Sequence, residues 1–206
     1  MTGERLELAL RDGTPVIVRA LLEEDRPAVA EAYRRLSPEG RYQRFWTPVG
    51  ELLGAAMLDR LIEQNPQKHL TWVVLDPDRG FPGVGGASWW RNAADPTEAE
   101  ISAMVLDADQ RRGIGTLLLA VMWLTAMRAG VEQLVAYTLH DNRRAAKWMQ
   151  DCGAVGTWDG YKLVFRWNLL QPEHLPATPT AVDFAAWLAQ LSPLLLGAAE
   201  EPSLLT

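Results

Sequence analysis

Residues 107–124 read DADQRRGIGTLLLAVMWL, with two arginines and two glycines set directly in front of a long apolar run. The run predicts a helix from about Gly113 to Arg128, closed by Gly130 as a C-terminal cap, and the residues ending near Leu106 predict a strand. A strand, a glycine turn and a helix start together make a place for an anion: the first backbone N–H groups of a helix are free and its dipole favours negative charge there. Glycine at 113 and 115 removes the Cβ that would hold a phosphate away from those groups. Two familiar phosphate loops are excluded by single residues. A Walker-type loop needs a lysine where Gly115 passes straight to Thr116, and a dinucleotide fingerprint needs a small residue where Leu118 stands. A pyrophosphate cradle remains, built from Gln110, Arg111, Arg112, Gly113, Ile114, Gly115 and Thr116.

Outward from the cradle, strand and helix signals alternate without a repeat. LELALRDGTPVIVRAL is two strand-like runs around Asp12-Gly13, a hairpin signature. EEDRPAVAEAYRRLSPEGRYQRFW reads as helix, with acids in its first turn and apolar Val29, Ala32, Tyr33 and Leu36 on one face; Ser37-Pro38 restarts it as a second helix. GELLGAAMLDRLIEQNP supplies a third helix before Pro66. HLTWVVLD, GVGGASWWRN and EAEISAMVL are strands of an antiparallel meander separated by Pro/Gly/Asp turns. After the cradle helix come a strand, EQLVAYTL, a helix, DNRRAAKWMQDCG, capped by Gly153, and a final strand, YKLVFRWNLL. Strands first and strand–helix–strand–helix–strand afterwards predict an α/β or α+β sheet covered by helices.

From Gln171 the chain changes character. A Pro-rich linker leads to a helix start at Thr180 and Asp183, with Phe184, Trp187, Leu188, Leu191 and Leu195 on one face and Pro193 expected to bend or end the helix near Ser192. That stripe is expected to pack back on its own domain, the second reading being a homodimer contact or a lid. The division is thus 1–170 for the domain and 171–206 for a helical tail.

The net charge of -6 disfavours non-specific nucleic-acid binding, which needs a basic surface. The single cysteine, Cys152, excludes an internal disulfide. The opening MTGERLELALRDG is charged where a signal peptide is apolar, and no window is apolar for long enough to span a bilayer, so a soluble cytoplasmic protein with no membrane partner is expected. His69, His140 and His174 are scattered without ligand spacing, so no metal site is expected. Cys152 reads as a small buried hydrophobe. Arg143 and Arg144 oppose the dipole at a helix start, a placement that suits a nearby phosphate as well as a solvated face. Trp89 and Trp90 point to opposite faces of one strand, one toward the core and the other toward a cleft that Tyr42, Arg44, Phe45 and Trp46 would also line.

Gln110-Arg111-Arg112-Gly113-Ile114-Gly115 resembles the coenzyme A signature of the GNAT superfamily of N-acetyltransferases, Q/R-x-x-G-x-G/A. DNRRAAKWMQDCGA, opening at Asn142, is similar to the family's second segment, and the stretch around LSPEGRYQRF resembles bacterial protein-lysine acetyltransferases. The likeness covers roughly Glu4 to Leu170. It implies a mixed, mostly antiparallel, twisted sheet flanked by helices, with acetyl-CoA as cosubstrate and a protein lysine or a small amine as acceptor. It also implies that Glu100, at the start of the strand leading to the cradle, serves as general base, with Glu98 as the spare candidate. Backbone groups at Met104 and Val105 would pair with the pantetheine arm, and Asn142 would stand beside the cofactor. A lysine amine, with a pKa of about 10.4, must lose a proton before it can attack, and a partly buried carboxylate can be raised to take it. The family's tyrosine acid is replaced by Met149, which makes a tyrosine acid unexpected at that position and keeps a non-catalytic acyl-CoA sensor open as an alternative.

Overall fold

The computed structural model describes residues 5–46, 53–79 and 83–197. In chain order the elements are β1 (Arg5–Ala9), β2 (Pro15–Ala20), α1 (Arg26–Arg34), α2 (Pro38–Phe45), α3 (Ala55–Ile62), β3 (His69–Leu75), β4 (Gly85–Arg91), β5 (Glu98–Val105), α4 (Ile114–Arg128), β6 (Gln133–Thr138), α5 (Arg143–Asp151), β7 (Val155–Trp158), β8 (Leu163–Asn168) and α6 (Pro179–Leu195). The strands form one eight-stranded sheet in the order β1-β2-β3-β4-β5-β6-β8-β7. Every neighbouring pair is antiparallel except β5 with β6, which α4 connects in parallel. A parallel pair needs such a crossover, whereas the hairpins of the meander do not.

Each face of the sheet is covered. On one side α4 lies across β3, β4 and β5, and on the other α1 and α3 pack together over β3. Strand alternation sends Ala99 and Ile101 into the α4 layer, leaving Glu100 and Ser102 for the opposite face. Trp89 is fully buried and its indole N–H donates to Thr125 Oγ1 of α4 at 3.1 Å. Trp90 stays on the other face, stacked 4.9 Å from the His69 ring with the Arg60 guanidinium 5.4 Å above it. Helix starts follow local chemistry: Ser37 Oγ accepts from the Gly40 N–H at 3.0 Å, Asn142 Oδ1 from Ala145 at 3.1 Å, and Thr178 Oγ1 from Ala181 at 3.1 Å.

Several boundaries differ from the sequence expectation. Glu23–Asp25 is a 3-10 turn rather than the start of α1; Asp25 instead accepts two bonds from Arg19, at 2.5 and 2.8 Å. The third helix begins at Ala55 with Gly54 as its N-cap, and Gly50 to Leu52, expected as its first residues, lie outside the described residues. Strand β7 was not expected, because its four residues are all exposed and so carry no apolar alternation. Asp159-Gly160, with Gly160 at φ +97°, is nevertheless the same kind of hairpin signal as Asp12-Gly13. The tail helix is capped at Thr178, not Thr180, and it runs through Pro193 to Leu195. Buried Leu191 and Leu195 hold the last turn against α4, and Arg128 donates to the Leu195 carbonyl at 2.5 Å. The stripe of α6 is therefore spent inside the molecule: Phe184 meets Trp123 of α4 edge-on at 5.4 Å. Among the described residues no helix is long and apolar enough to cross a membrane.

Candidate active site

Beside the parallel pair the sheet opens. Glu98, Ala99 and Glu100 pair with Gln133, Leu134 and Val135, and no pair is formed beyond them. Strand β5 continues to Val105 and β6 to Thr138, so residues 101–105 of one and 136–138 of the other face each other across a slot. Each keeps its outer partner, β4 or β8, which holds the slot open rather than letting the strands drift. The slot belongs to a cleft of about 830 Å³. Trp46 and Lys162 stand along its walls, together with Glu100, Met104, Val105, Gln110, Asn142 and Arg143.

The cradle stands at the end of β5. Gly113 sits at φ +85°, with open space where a Cβ would project, and α4 begins with no side-chain cap. Its first-turn N–H groups have no intrahelical acceptors, and the end of a long helix carries partial positive charge. Trp148 of α5 walls this end: its ring lies 3.6 Å from the Cβ position of Gly115, and its indole N–H donates to Thr116 Oγ1 at 3.3 Å. Thr116 and Ile114 are buried, so only their backbone can face an anion. Gln110 lines the cleft, its amide bonding the Val105 carbonyl at 3.3 Å and Asp107 at 3.0 Å. Asn142 lines it too, with its Oδ1 committed to capping α5. Arg111 is exposed, with φ +67°.

Arg112 is placed otherwise than expected. Its guanidinium bonds Asp109 at 2.8 Å and Thr14 Oγ1 at 2.8 Å and approaches Asp12 at 3.2 Å, tying the turn to the β1–β2 hairpin. Asp109, only 2% exposed, also receives Arg79. Arg112 therefore shapes the turn instead of reaching into the cleft. Replacing Arg112 by alanine is expected to lower the unfolding free energy by about 1–3 kcal/mol, since a buried carboxylate loses one of its two cations. Urea unfolding measures it; unchanged stability with weakened coenzyme A binding would return Arg112 to the phosphate role.

Glu100 lies where the strands part and is exposed to the cleft rather than partly buried. Glu98 does not line the cleft, and its carboxylate accepts from the Asn92 amide at 3.1 Å. Arg44 of α2 reaches the same region: burial pushes its guanidinium down from the usual range, and the Glu100 charge pulls it back up. Tyr137 of β6 also lines the cleft, and burial together with the Glu100 and Glu98 charges raises its phenol, so it keeps its proton. The Lys162 ammonium sits 3.7 Å above the Tyr137 ring and 5.7 Å from that of Trp46, while Tyr161 meets Trp46 edge-on at 6.5 Å. Of the residues expected at the cleft, Arg44 and Trp46 line it, and nothing is described of the Phe45 side chain. Tyr42 and Trp90 are not part of its lining.

The model of the acetyltransferase (GNAT) domain matches residues 16–155. The chain belongs to the GNAT acetyltransferase family. The acetyltransferase PA5475 of Pseudomonas aeruginosa is 29% identical over 159 residues, which are 76% of this chain and 84% of that one. The acetyltransferase Pat of Mycolicibacterium smegmatis is 27% identical over 179 residues, 86% of this chain and 53% of its own, so this chain spans about half the length of that relative. The GNAT domain of S. lividans PAT shares the fold with a TM-score of 0.75 at 22% identity, over 82% of this chain and 98% of that domain. A Salmonella typhimurium acetyltransferase solved with its cofactor acetyl-CoA shares it with a TM-score of 0.59 at 20% identity, over 75% and 94% of the two chains.

As a GNAT acetyltransferase the protein uses acetyl-CoA as cosubstrate, and the slot and the uncapped helix start suit an extended arm ending in phosphates. Arg143 and Arg144, exposed at the cleft, add local positive charge to an acidic protein. Met149, at the position where many GNAT enzymes carry a tyrosine, is buried in the core and has no proton to donate. Neither Tyr137 nor Lys162 is singled out by the sequence, because Tyr137 lies within the apolar run of β6 and Lys162 in the turn just before β8. Cys152 is fully buried, and burial pushes its thiol up to about 12. At pH 8 only about one thiol in ten thousand is then ionised, so native protein should resist iodoacetamide and urea-unfolded protein should react readily; mass spectrometry after a timed quench checks both. Among the described residues no cluster of His, Cys, Asp and Glu could hold a metal.

Proposed function

We propose that this GNAT enzyme acetylates protein lysines by direct attack, with Glu100 as general base and the slot between β5 and β6 as the seat of the pantetheine arm. The observation that carries the reading is the parting of β5 from β6 immediately after Glu100, in a slot that leads to the uncapped start of α4. Bound acetyl-CoA supplies an acyl group already activated as a thioester. Glu100 takes the proton of the incoming ammonium, directly or through a water, in the exposed mouth of the cleft. The amine nitrogen then bonds the carbonyl carbon, and the carbon–sulfur bond breaks. Backbone groups of Met104 and Val105, which have no partner on β6, flank the reacting carbonyl and steady its developing negative charge. The thiol, with an ordinary pKa of about 8.5, leaves without an acid from Met149. Gln110, Arg111, the backbone of Gly113 to Thr116 and the region of Asn142 and Arg143 hold the phosphate end.

The protein-lysine acceptor is supported by the likeness of the LSPEGRYQRF stretch to bacterial protein-lysine acetyltransferases. Incubating the enzyme with labelled acetyl-CoA, pooled cytoplasmic proteins and small amines tests this reading. Label on lysine ε-amines is the expected result. Label confined to small amines would move the acceptor class, and no transfer despite tight acetyl-CoA binding would favour a sensor.

A further inference from the structure

A second cavity, of about 100 Å³, lies on the opposite side of β5 from the slot, between the sheet and helices α1 and α3. Its roof is apolar, with Val29 and Ala32 from α1 and Met57 and Leu61 from α3. Its floor is the middle of β3, β4 and β5, and it is deep there because Gly86 of β4 carries no side chain. Gly86 pairs with Met104 of β5, so the missing side chain lies next to the residue that flanks the reacting carbonyl. The cavity adjoins the cleft: Arg44, Ser102, Ala103 and Met104 line both.

Several of the polar groups at the rim and floor are already partnered. Thr71 Oγ1 and Ser88 Oγ are 2.8 Å apart, His69 Nε2 lies 3.0 Å from Thr71 Oγ1, and Asp25 is closed by Arg19. Such a space suits an apolar occupant, since a water needs two or more open polar partners. An acetyl methyl group leaves it almost empty.

We propose that this cavity receives the tail of an acyl chain longer than acetyl, so that the enzyme also transfers short straight-chain acyl groups from their coenzyme A thioesters. An apolar cavity of about 150 Å³ holds a benzene-sized ligand, so this one fits a chain of about four carbons. The reaction is otherwise the same: the amine nitrogen bonds the acyl carbon, the thiol leaves, and Glu100 takes the proton. The proposal rests on the reading of the β5–β6 slot as the pantetheine site.

Calorimetry with free coenzyme A, acetyl-CoA and butyryl-CoA tests it without turnover. Butyryl-CoA is expected to bind roughly tenfold tighter than acetyl-CoA, from two more buried methylenes. Ala32→Leu fills the cavity from the roof and should erase that difference, as should Val29→Phe if the leucine variant fails to fold by circular dichroism. The ratio of butyryl to acetyl kcat/KM should fall by tenfold or more in the same variant. Equal affinities for the two thioesters in the wild type, or a preference that both fillers leave intact, would overturn the proposal. Free coenzyme A failing to bind would overturn the slot itself, a result distinct from binding that ignores chain length.

Discussion

Glu100→Gln is expected to lower kcat/KM for acetyl transfer by about 10²–10⁴-fold, the usual contribution of a positioned general base, with coenzyme A affinity unchanged. Glutamine keeps the size and hydrogen-bonding reach of the side chain but cannot take a proton. Nearby groups do not substitute for it: Glu98 is held by Asn92 outside the cleft lining, and Tyr137 keeps its proton because burial, with the Glu98 charge that the variant leaves in place, raises its phenol. The deficit should shrink as pH rises toward about 10.4, where the acceptor lysine loses its proton to solvent and the base becomes redundant. Transfer rates from pH 6.5 to 9.5, paired with calorimetric coenzyme A binding, measure both effects. A parallel fall in rate and affinity would make Glu100 a binding group, and a rate within twofold of wild type would remove it from the chemistry.

The strand, turn and helix start of the expected cradle are readable in the sequence because everything that makes them is local. A strand, a turn with Gly113 and Gly115 and an apolar helix follow one another in a few residues, and the chain folds them as written. Arg112 belongs to the same motif, but its side-chain partners Thr14 and Asp12 lie 98 and 100 positions away and no local pattern announces them. Glu100 is placed on the right strand by alternation alone, yet its exposure depends on where β6 turns aside. That depends in turn on β8 pairing with the whole of β6 on its other edge. The same non-local competition hides β7, an exposed strand that exists only because β8 offers it an edge.

The tail helix is where the sequence holds more than its own stripe. Helix α4 is buried almost all the way round, from Ile114 to Ala126. A helix apolar on every side needs cover on both faces: the sheet takes one and α6 the other. Phe184→Ala should therefore cost about 3–5 kcal/mol, the range for removing a fully buried phenyl ring, and Phe184 is 0% exposed against Trp123. Much of a typical domain's margin of about 5–15 kcal/mol would be lost. Ending the chain at Gln171 should go further, uncovering the outer face of α4, removing the Arg11–Asp183 ion pair at 2.7 Å and losing the Thr178 bond to the Asp151 carbonyl at 2.8 Å. Aggregation or strong binding of a hydrophobic dye is the expected outcome. Leu194→Ala on the same helix, at a position 53% exposed, should change stability by no more than about 0.5 kcal/mol. Urea unfolding and sedimentation distinguish the readings. A soluble, cooperatively folding truncation would show that α4 does not need α6, and a change of oligomeric state in Leu194→Ala would make the outer face of the tail a contact between copies of the chain.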